Sequence, residues 1–369
     1  MKQGWEIKKI KDICDKASSN IAQNKITELN GDYPVFGASG FVQNVDFYHR
    51  GSEYIGIVKD GSGVGRVNKY PAYSSLLGTL QYILPKEGYD LNYVAYALKS
   101  LNLAEYASGA AIPHIYFKDY GEETIAVPSL AEQERIVAEL DCLSGVIEKK
   151  KQQLKELDAL AESIFYTMFG DPITNEKGWE VDRLGNLCEI SSSKRIYAHE
   201  YCENGVPFYR GKEISEKSKG NDISVELYIS EERYSELKNK FGVPQIGDIL
   251  LTAVGTIGNI WVVDSNTPFY FKDGNVLWLQ AKENINPIYF KALLYNLIDK
   301  YKESMANGCA YNALTIVNLK EMKTNKIPYK LQQDFADKIS HIEKQKELIK
   351  QSIAETETLF NSRMDYYFN

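Results

Sequence analysis

Two stretches of the chain carry apolar residues at alternating steps of four and three, the spacing of one helix face. The first stretch holds Ile136, Leu140, Leu143, Ile147, Lys150, Leu154, Leu157, Ala161, Ile164 and Met168. Adding 199 to each number gives the second, Phe335, Ile339, Ile342, Lys346, Ile349, Ile353, Thr356, Phe360, Arg363 and Tyr367. A core-facing helix in an ordinary bundle is the alternative interpretation. Two matched stripes, each roughly 50 Å long at 1.5 Å per residue, instead favour two long helices that pack on each other.

Each predicted helix follows a proline-marked stop, Val127-Pro128-Ser129 in one case and Ile327-Pro328-Tyr329 in the other. Lys150 and Lys346 lie on the seam in neighbouring layers. A lysine at a seam position lowers stability and commonly fixes the register or orientation of the pair.

The chain also repeats itself. The segment that begins Gly4-Trp5-Glu6-Ile7 and ends at Cys14 recurs as the segment from Gly178-Trp179-Glu180-Val181 to Cys188. Later landmarks recur as well: Gly63-Val64-Gly65 answers Thr256-Ile257-Gly258, Val127-Pro128 answers Ile327-Pro328, and Phe169 answers Phe368. The order is therefore unit, helix, unit, helix. The repeat further predicts that Phe368 lies beside Trp5 as Phe169 lies beside Trp179.

The two units show short apolar and aromatic runs broken by glycine. Residues 53–58, 80–84, 248–252 and 276–279 read as strands, and residues 93–101 and 288–301 have helical spacing. Each unit is thus a mixed α+β domain that closes with a loop before its long helix.

Composition places the chain among ordinary globular proteins. With 369 residues, 44% hydrophobic and 25% charged, it is long enough for two or three domains. It shows neither an apolar run of bilayer length nor a signal peptide, so a soluble cytoplasmic protein is expected. The five cysteines are scattered without a Cys-x-x-Cys pair, which predicts reduced packing residues rather than a zinc or redox site.

The net charge of −7 argues against binding nucleic acid by bulk charge. Its distribution weakens that objection. Residues 130–169 hold five basic and eight acidic side chains, and residues 331–369 hold five and seven. Because the predicted helices carry most of the negative charge, the two units are free to present local basic faces.

Signals for catalysis are largely missing from the sequence. The four histidines have no metal-ligand spacing, and no Gly-x-x-x-x-Gly-Lys-Ser/Thr loop is present. The glycine-rich residues 59–66 precede a strand-like stretch rather than a helix, which disfavours dinucleotide binding. Phe36-Gly37-Ala38-Ser39-Gly40 only loosely resembles an adenosylmethionine-binding loop, and no Asp/Asn-Pro-Pro-Tyr/Phe motif follows it. A self-contained enzyme, catalytic residues and a metal site are not expected.

The sequence carries more signals for nucleic-acid recognition than for catalysis. Residues 59–66 and 252–259 place glycines and small polar residues between strands, where the backbone can approach a phosphate or a base edge. Lys194 and Arg195 follow three serines, and Tyr209-Arg210-Gly211-Lys212 combines an aromatic ring with cations. The candidate DNA contacts are Lys59, Ser62, Arg66, Lys69, His114, Tyr116, Lys194, Arg195, Arg210, Lys212, Thr252, Thr256, Asn259, Tyr311 and Asn312.

Nearly the whole chain resembles the specificity (S) subunits of type I restriction-modification systems. The resemblance is carried by the two Gly-Trp-Glu openings, by Val206-Pro207-Phe208-Tyr209-Arg210-Gly211-Lys212, by the closing segment from Ile125-Ala126-Val127-Pro128 to Gln133-Glu134-Arg135-Ile136, and by Met168-Phe169-Gly170-Asp171-Pro172. The second copy departs from this pattern. It has one residue fewer between Pro328 and Gln332, and the chain stops at Phe368-Asn369, which leaves the helix register open.

The resemblance implies an α+β fold of two mixed α/β target-recognition domains in pseudo-two-fold tandem repeat, separated by two long helices that form an antiparallel intramolecular coiled coil. The expected segments are recognition domain 1 (residues 1–127), the central helix (128–169), recognition domain 2 (170–327) and the C-terminal helix (328–369). The implied function is non-catalytic reading of a bipartite, asymmetric sequence in double-stranded DNA. The implied partners are two methyltransferase subunits and restriction (motor) subunits. No cofactor is expected on this chain, since adenosylmethionine, ATP and Mg would belong to those partners.

Two other functions remain open at this point. A single-chain adenosylmethionine-dependent DNA methyltransferase would need a cofactor pocket of its own. A coiled-coil scaffold without a DNA role would show no sequence-dependent DNA binding.

Overall fold

The computed structural model of the protein describes residues 4–109, 112–306 and 314–369. The chain forms two compact units. Unit 1 comprises Met1–Gln153 with Ile349–Asn369, and unit 2 comprises Leu154–Leu348. Each unit therefore contains part of both long helices.

Unit 1 begins with a mixed domain built around antiparallel strands. Its strands are β1 (Glu6–Lys9), β2 (Cys14–Ser18), β3 (Tyr33–Gly37), β4 (Gly40–Val45), β5 (Tyr54–Val58), β6 (Val67–Tyr70), β7 (Ser75–Leu76), β8 (Leu80–Pro85) and β9 (Thr124–Val127). Its helices are α1 (Ile10–Ile13), α2 (Leu91–Ser100), α3 (Phe117–Tyr120) and the start of α4 (Leu130–Phe169). Every residue of β5 is buried, in keeping with its β-branched and aromatic composition.

Unit 2 repeats this order with additions. Its strands are β10 (Val181–Arg183), β11 (Cys188–Ser192), β12 (Tyr201–Cys202), β13 (Val206–Tyr209), β14 (Tyr228–Ile229), β15 (Ile249–Thr252), β16 (Ile260–Val262), β17 (Tyr270–Phe271), β18 (Val276–Ala281) and β19 (Lys323–Asn325). Its helices are α5 (Leu184–Leu187), α6 (Gly211–Ser218), α7 (Glu231–Phe241), α8 (Pro287–Ala306), α9 (Ile316–Glu321) and the start of α10 (Tyr329–Phe368). Between β13 and β15 the chain forms α6, β14 and α7, whereas unit 1 has β4 between β3 and β5.

The main sheets of the two units have the same topology, whereas the smaller sheets differ, with the order β4-β3-β7 in unit 1 and β12-β14-β13-β17 in unit 2. The main sheet of unit 1 has the strand order β2-β8-β5-β6, and that of unit 2 has the equivalent order β11-β18-β15-β16. The pair β1-β9 corresponds to β10-β19, and the parallel pair β3-β7 corresponds to β13-β17. The predicted tandem repeat of mixed α/β units is therefore confirmed.

A buried glutamine just after the start of each long helix has the same role in both units. Gln133 accepts a hydrogen bond from the backbone nitrogen of Asp90 at 2.9 Å and donates to the carbonyl oxygen of Pro128 at 2.9 Å. Gln332 makes the equivalent bonds to Asn286 at 2.9 Å and Ile327 at 2.8 Å. Each amide satisfies one buried carbonyl and one part-buried N–H, and it joins a helix start to the segment before α2 or α8.

The two long helices pair in antiparallel fashion within each unit. In unit 1, Glu139 bonds Arg363, while Lys151 lies 3.0 Å from Glu357. In unit 2, the ring of Phe335 lies 5.8 Å from Phe165 and 5.2 Å from Phe169. Every predicted seam position of both helices is buried or half-buried. The predicted antiparallel helix pair is confirmed.

The two seam lysines meet different surroundings. Lys150 donates to Ser352 Oγ at 2.5 Å and to Thr356 Oγ1 at 3.2 Å. Lys346 lies 2.7 Å from Asp158 and 2.9 Å from Glu343. The first lysine is thus satisfied by neutral oxygens of the facing helix, and the second by carboxylates.

The repeat predicted that Trp179 lies beside Phe169 and that Trp5 lies beside Phe368, and in unit 2 a hydrogen bond joins the predicted pair. Trp179 Nε1 donates to the carbonyl oxygen of Phe169 at 2.8 Å. In unit 1, Trp5 and Phe368 pack against the same cluster, which contains Tyr93 and Ile136. The match extends to the tyrosine of the neighbouring helix, because Tyr93 lies 5.2 Å from Phe368 as Tyr289 lies 5.0 Å from Phe169.

The cysteine prediction holds for two positions. Burial raises the pKa of both Cys14 and Cys188 to about 12, so these thiols stay protonated in the core. Cys142 is exposed on α4, so the packing role predicted for it is wrong, whereas Cys202 is half-buried. All four of these cysteines are free thiols, as predicted. Cys309 lies outside the described residues. Among the helices of the described residues, none is both long enough and apolar enough to cross a membrane.

Candidate nucleic-acid interface

The loop between β5 and β6 and the loop between β15 and β16 share one backbone frame. In unit 1 the backbone nitrogen of Val58 donates to Arg66 at 3.0 Å, and Gly65 donates back to Val58 at 2.8 Å. In unit 2 Thr252 donates to Asn259 at 3.0 Å, and Gly258 donates back to Thr252 at 2.9 Å. Candidate contacts therefore occupy equivalent positions, with Arg66 matching Asn259.

A glycine closes each loop in the left-handed conformation. Gly65 has a φ of +85° and Gly258 a φ of +94°. A Cβ at Gly65 would lie 2.4 Å from the backbone nitrogen of Ala104, whereas one at Gly258 would first meet the side chains of Lys302 and Ile298. Backbone angle and space thus require the glycine in both units, with backbone as the obstacle in unit 1 and the side chains of Lys302 and the buried Ile298 in unit 2.

The unit 1 loop is held by the segment that carries His114. Gly61 donates to the carbonyl oxygen of Pro113 at 2.9 Å, and Ile115 donates to that of Lys59 at 3.0 Å. The imidazole of His114 bonds Asp60, and Lys59 lies 3.7 Å from the same carboxylate. Two predicted contacts therefore share one acidic partner.

The remaining unit 1 candidates divide into two places. The ring of Tyr116 lies 4.1 Å from the His114 ring and is 48% exposed. Ser62 is exposed within the loop, and Arg66 donates to the carbonyl oxygen of Ala38 at 3.1 Å. Lys69, by contrast, bonds Asn92 at the start of α2. The structure thus brings five candidates together around the loop and leaves Lys69 at the exposed face of β6.

The unit 2 loop is held by α6. Asn259 Nδ2 donates to Ser215 Oγ at 2.8 Å, and Thr256 Oγ1 lies 3.3 Å from the same oxygen. Thr252 is fully buried, and its Oγ1 donates to the carbonyl oxygen of Thr256 at 2.5 Å. Thr252 therefore shapes the loop from inside, while Thr256 is exposed and Asn259 half-buried.

The same helix begins beside two more candidates. Arg210 Nη2 lies 2.8 Å from Glu213 and 2.8 Å from Glu226, and Lys212 Nζ lies 2.8 Å from Glu226. Burial alone would raise the pKa of Glu213, but hydrogen bonds from Arg210 outweigh it and lower that pKa. Hydrogen bonds from Lys212 and Arg210 lower the pKa of Glu226 to about 2. Both cations are therefore neutralised by carboxylates that remain charged.

Lys194 and Arg195 form another exposed group in unit 2. Arg195 Nε lies 3.0 Å from Asp273, and this bond raises the pKa of Arg195. The Lys194 ammonium lies 4.8 Å from the centre of the Phe241 ring. Tyr311 and Asn312 lie outside the described residues, so the structure does not place them.

The predicted set omitted the acidic and hydroxyl partners that hold its members. These are Asp60, Glu213, Ser215, Glu226 and Asp273. The spacing of Glu213, three residues after Arg210 at a helix start, is a capping pattern readable in the sequence. The contacts of Ser215, Glu226 and Asp273 span many residues of chain and have no local pattern.

This arrangement can contact DNA in two ways. Lysine and arginine side chains beside main-chain N–H groups suit phosphate oxygens, and exposed hydroxyl and amide groups suit base edges. Within residues 4–109, 112–306 and 314–369, no three or more His, Cys, Asp or Glu side chains are grouped to hold a metal ion.

Comparisons with known proteins give one consistent picture. The family model described as "Type I restriction modification DNA specificity domain" matches residues 2–159 and again residues 176–358. A Haemophilus influenzae protein named "Putative type I restriction enzyme specificity subunit" is 25% identical over 82% of this chain and 78% of its own length. The MjaIX specificity subunit of Methanocaldococcus jannaschii is 27% identical over 64% of this chain and 63% of its own length.

Two solved structures share the fold. The S subunit of a type I restriction-modification system from M. genitalium covers 99% of this chain and 96% of its own, with a TM-score of 0.61 and 17% identity. A chain from a structure of the type I R-M system covers 99% of this chain and 97% of its own length, with a TM-score of 0.59 and 16% identity.

Proposed function

Because the chain belongs to the type I restriction-modification DNA specificity family, we propose that it is the non-catalytic subunit that reads the DNA target of such a system. The observation that carries this proposal is the double family match, one over each unit. Two copies of one reading domain in a single chain suit a target made of two parts.

Each unit reads one half of a bipartite, asymmetric sequence in double-stranded DNA. The equivalent strand orders of the two main sheets support a common reading geometry. The different residues of the loops at 59–66 and 252–259 support different half-sites. In the unit 1 loop, Ser62, Arg66 and Tyr116 offer hydroxyl, guanidinium and phenol groups to base edges or phosphates. In unit 2, Thr256 and Asn259 are the base-contact candidates, while Arg210 and Lys212 suit phosphates.

The paired helices are the docking surface for two methyltransferase subunits, which restriction subunits then join. In support, several large apolar side chains are exposed on α4 and α10, namely Leu160, Leu348, Leu359 and Tyr366. A partner protein that covered these side chains would remove apolar surface from water. Adenosylmethionine, ATP and Mg would bind those partners, so this chain needs no cofactor of its own.

Mapping methylated adenines in the host genome with and without this gene tests the proposal. Deleting the gene should abolish methylation of one bipartite motif, and restoring it should return the same motif. A T256A/N259A double variant should change only one half of that motif, because both residues belong to unit 2. A methylome that does not respond to the deletion would contradict the proposal.

A cofactor titration separates this function from a self-contained methyltransferase. The isolated chain should give no heat of binding with adenosylmethionine in calorimetry, whereas its complex with methyltransferase subunits should bind the cofactor. Tight binding by the isolated chain would favour the single-chain enzyme.

A further inference from the structure

Two cations of unit 2 converge on one exposed carboxylate beside the β15–β16 loop. Arg210 Nη2 lies 2.8 Å from Glu226 Oε2, and Lys212 Nζ lies 2.8 Å from Glu226 Oε1. The Glu226 side chain is 51% exposed. Arginine and lysine hold a phosphate group in the same way, with two cationic donors bound to two oxygens of one anion.

Arg210 is fixed from its other side by a buried carboxylate. Glu213 is 1% exposed, and its Oε2 accepts the backbone N–H of Arg210 at 2.7 Å while its Oε1 accepts from Nη2 at 2.8 Å. Arg210 Nε also donates to Glu213 Oε2 at 3.3 Å, so Glu213 would still hold the guanidinium at two nitrogens if Glu226 moved away. Glu226 itself lies between α6 and β14, outside any helix or strand.

The cation pair is joined to the loop that carries the base-contact candidates. Gly211 begins α6 between the two cations, and its carbonyl oxygen accepts the Ser215 hydroxyl at 2.6 Å. Ser215 in turn accepts from Asn259 at 2.8 Å. A phosphate held by Arg210 and Lys212 would therefore be positioned relative to Asn259 and Thr256 through one short helix.

We propose that Arg210 and Lys212 form a binding site for a backbone phosphate of DNA, and that Glu226 occupies this site in the free protein as an internal competitor. This inference rests on the proposed function. DNA must displace Glu226 to reach the two cations, so Glu226 weakens binding to every sequence. Phosphate contacts carry no sequence information. A weakened phosphate contact leaves a larger share of the binding to base contacts.

The competition persists across the physiological pH range. Hydrogen bonds from Lys212 and Arg210 lower the pKa of Glu226 to about 2, so its carboxylate is ionised at every pH well above 2. The difference in affinity between the unaltered chain and an E226Q variant is therefore expected to be constant between about pH 5 and pH 8.

The test uses the full chain in complex with its methyltransferase subunits and measures DNA affinity by fluorescence anisotropy against salt concentration. The duplexes are the motif found by methylome mapping and a scrambled version of it. The variants are E226Q, K212Q and the double variant, with E236Q as the matched control. Glu236 is likewise an exposed glutamate of unit 2 that pairs with an arginine, at 2.7 Å from Arg233. Arg210 is left unchanged, because removing it would leave the buried Glu213 unpaired.

E226Q should tighten binding to both duplexes by about threefold to tenfold at low salt, while E236Q should change it by less than about twofold. K212Q should weaken binding to both duplexes alike and reduce the slope of log affinity against log salt by about 1. In the K212Q background, the gain from E226Q should shrink, because one of the two released cations is absent.

Two results would overturn the inference while leaving the proposed function intact. They are an E226Q affinity equal to that of E236Q, and a K212Q salt slope equal to that of the unaltered chain, in complexes that still prefer the motif. Melting temperatures close to that of the unaltered chain show that each variant is folded. If the unaltered complex does not distinguish motif from scrambled DNA, the proposed function itself fails, and this inference with it.

Discussion

The β5–β6 loop of unit 1 and the β15–β16 loop of unit 2 have the same backbone frame but different packing partners. The Pro113–Ile115 backbone holds the first loop, and α6 holds the second through Ser215. An internal carboxylate neutralises cations in both, Asp60 in unit 1 and Glu226 in unit 2. The comparison shows that duplication preserved the scaffold while the side chains on it diverged, as two half-sites of different sequence would require.

The glycines that close the two loops should differ in how well they tolerate a side chain. G65A should lower the stability of the protein by about 3 kcal/mol, because the new Cβ meets rigid backbone as well as an unfavourable φ. G258A should lower stability by about 2 kcal/mol, since the exposed end of Lys302 can move aside while the buried Ile298 has to shift within the core. The melting temperatures of the two variants measure both losses of stability.

G88A isolates the contribution of the backbone angle alone. Gly88 has a φ of +89°, and a Cβ there meets nothing within 4 Å. The G88A substitution should therefore lower the stability of the protein by about 1 kcal/mol. Equal losses for G65A and G88A would show that the close approach of Ala104 contributes nothing.

The buried glutamines test whether the two helix starts are energetically equivalent. Q133L and Q332L should each lower stability by about 2 kcal/mol, because each removes the glutamine's hydrogen bonds to a buried carbonyl and to a part-buried N–H. Thermal unfolding of both variants, with Q351L as the control, measures this. Gln351 is exposed and bonds only Glu355 of its own helix among the hydrogen bonds described for it. A large loss in one variant and none in the other would break the equivalence of the units.

Replacing the two seam lysines should change stability in different directions, because the surroundings of the two lysines differ. K150M should leave stability unchanged or raise it by about 1 kcal/mol, since a half-buried charge with neutral partners is replaced by an apolar side chain. K346M should lower it by up to about 1 kcal/mol, because two ion pairs to half-exposed or exposed carboxylates are lost. Thermal unfolding of the two variants compares them. A larger loss for K150M than for K346M would contradict this assignment.

The smallest expected difference between the two units concerns the reactivity of their buried cysteines. Cys14 and Cys188 occupy equivalent positions, and burial raises the pKa of each to about 12, so almost no thiolate exists near pH 8. Alkylation of the folded protein followed by peptide mass spectrometry should modify Cys142 and spare both. Rapid modification of either Cys14 or Cys188 would show that one unit opens more readily than its counterpart.

Much of the architecture was predictable because it depends on periodic patterns. The heptad seams predicted α4 and α10, and the predicted strands near residues 54–58 and 249–252 correspond to β5 and β15. The internal repeat predicted that Trp179 lies beside Phe169, whose carbonyl oxygen accepts a hydrogen bond from Trp179 Nε1. These features follow from side chains that recur at fixed spacing on one face of an element.

The candidate interface was less predictable because its side chains are arranged by contacts across the fold. Nothing near Lys212 in the sequence indicates Glu226, and nothing near Asn259 indicates Ser215. Thr252 shares a loop with Thr256, yet one is fully buried and the other exposed. Exposure and ion pairing depend on which loops meet, and short-range patterns do not specify that.

The sequence by itself determined that this protein is one domain design used twice with two long helices, and it pointed to the family. Repetition and periodicity survive in the order of residues, so they can be read without coordinates. Only the tertiary structure decided which predicted cations are already held by carboxylates and which polar groups remain exposed. Those properties depend on distances between residues far apart along the chain, and folding alone sets such distances.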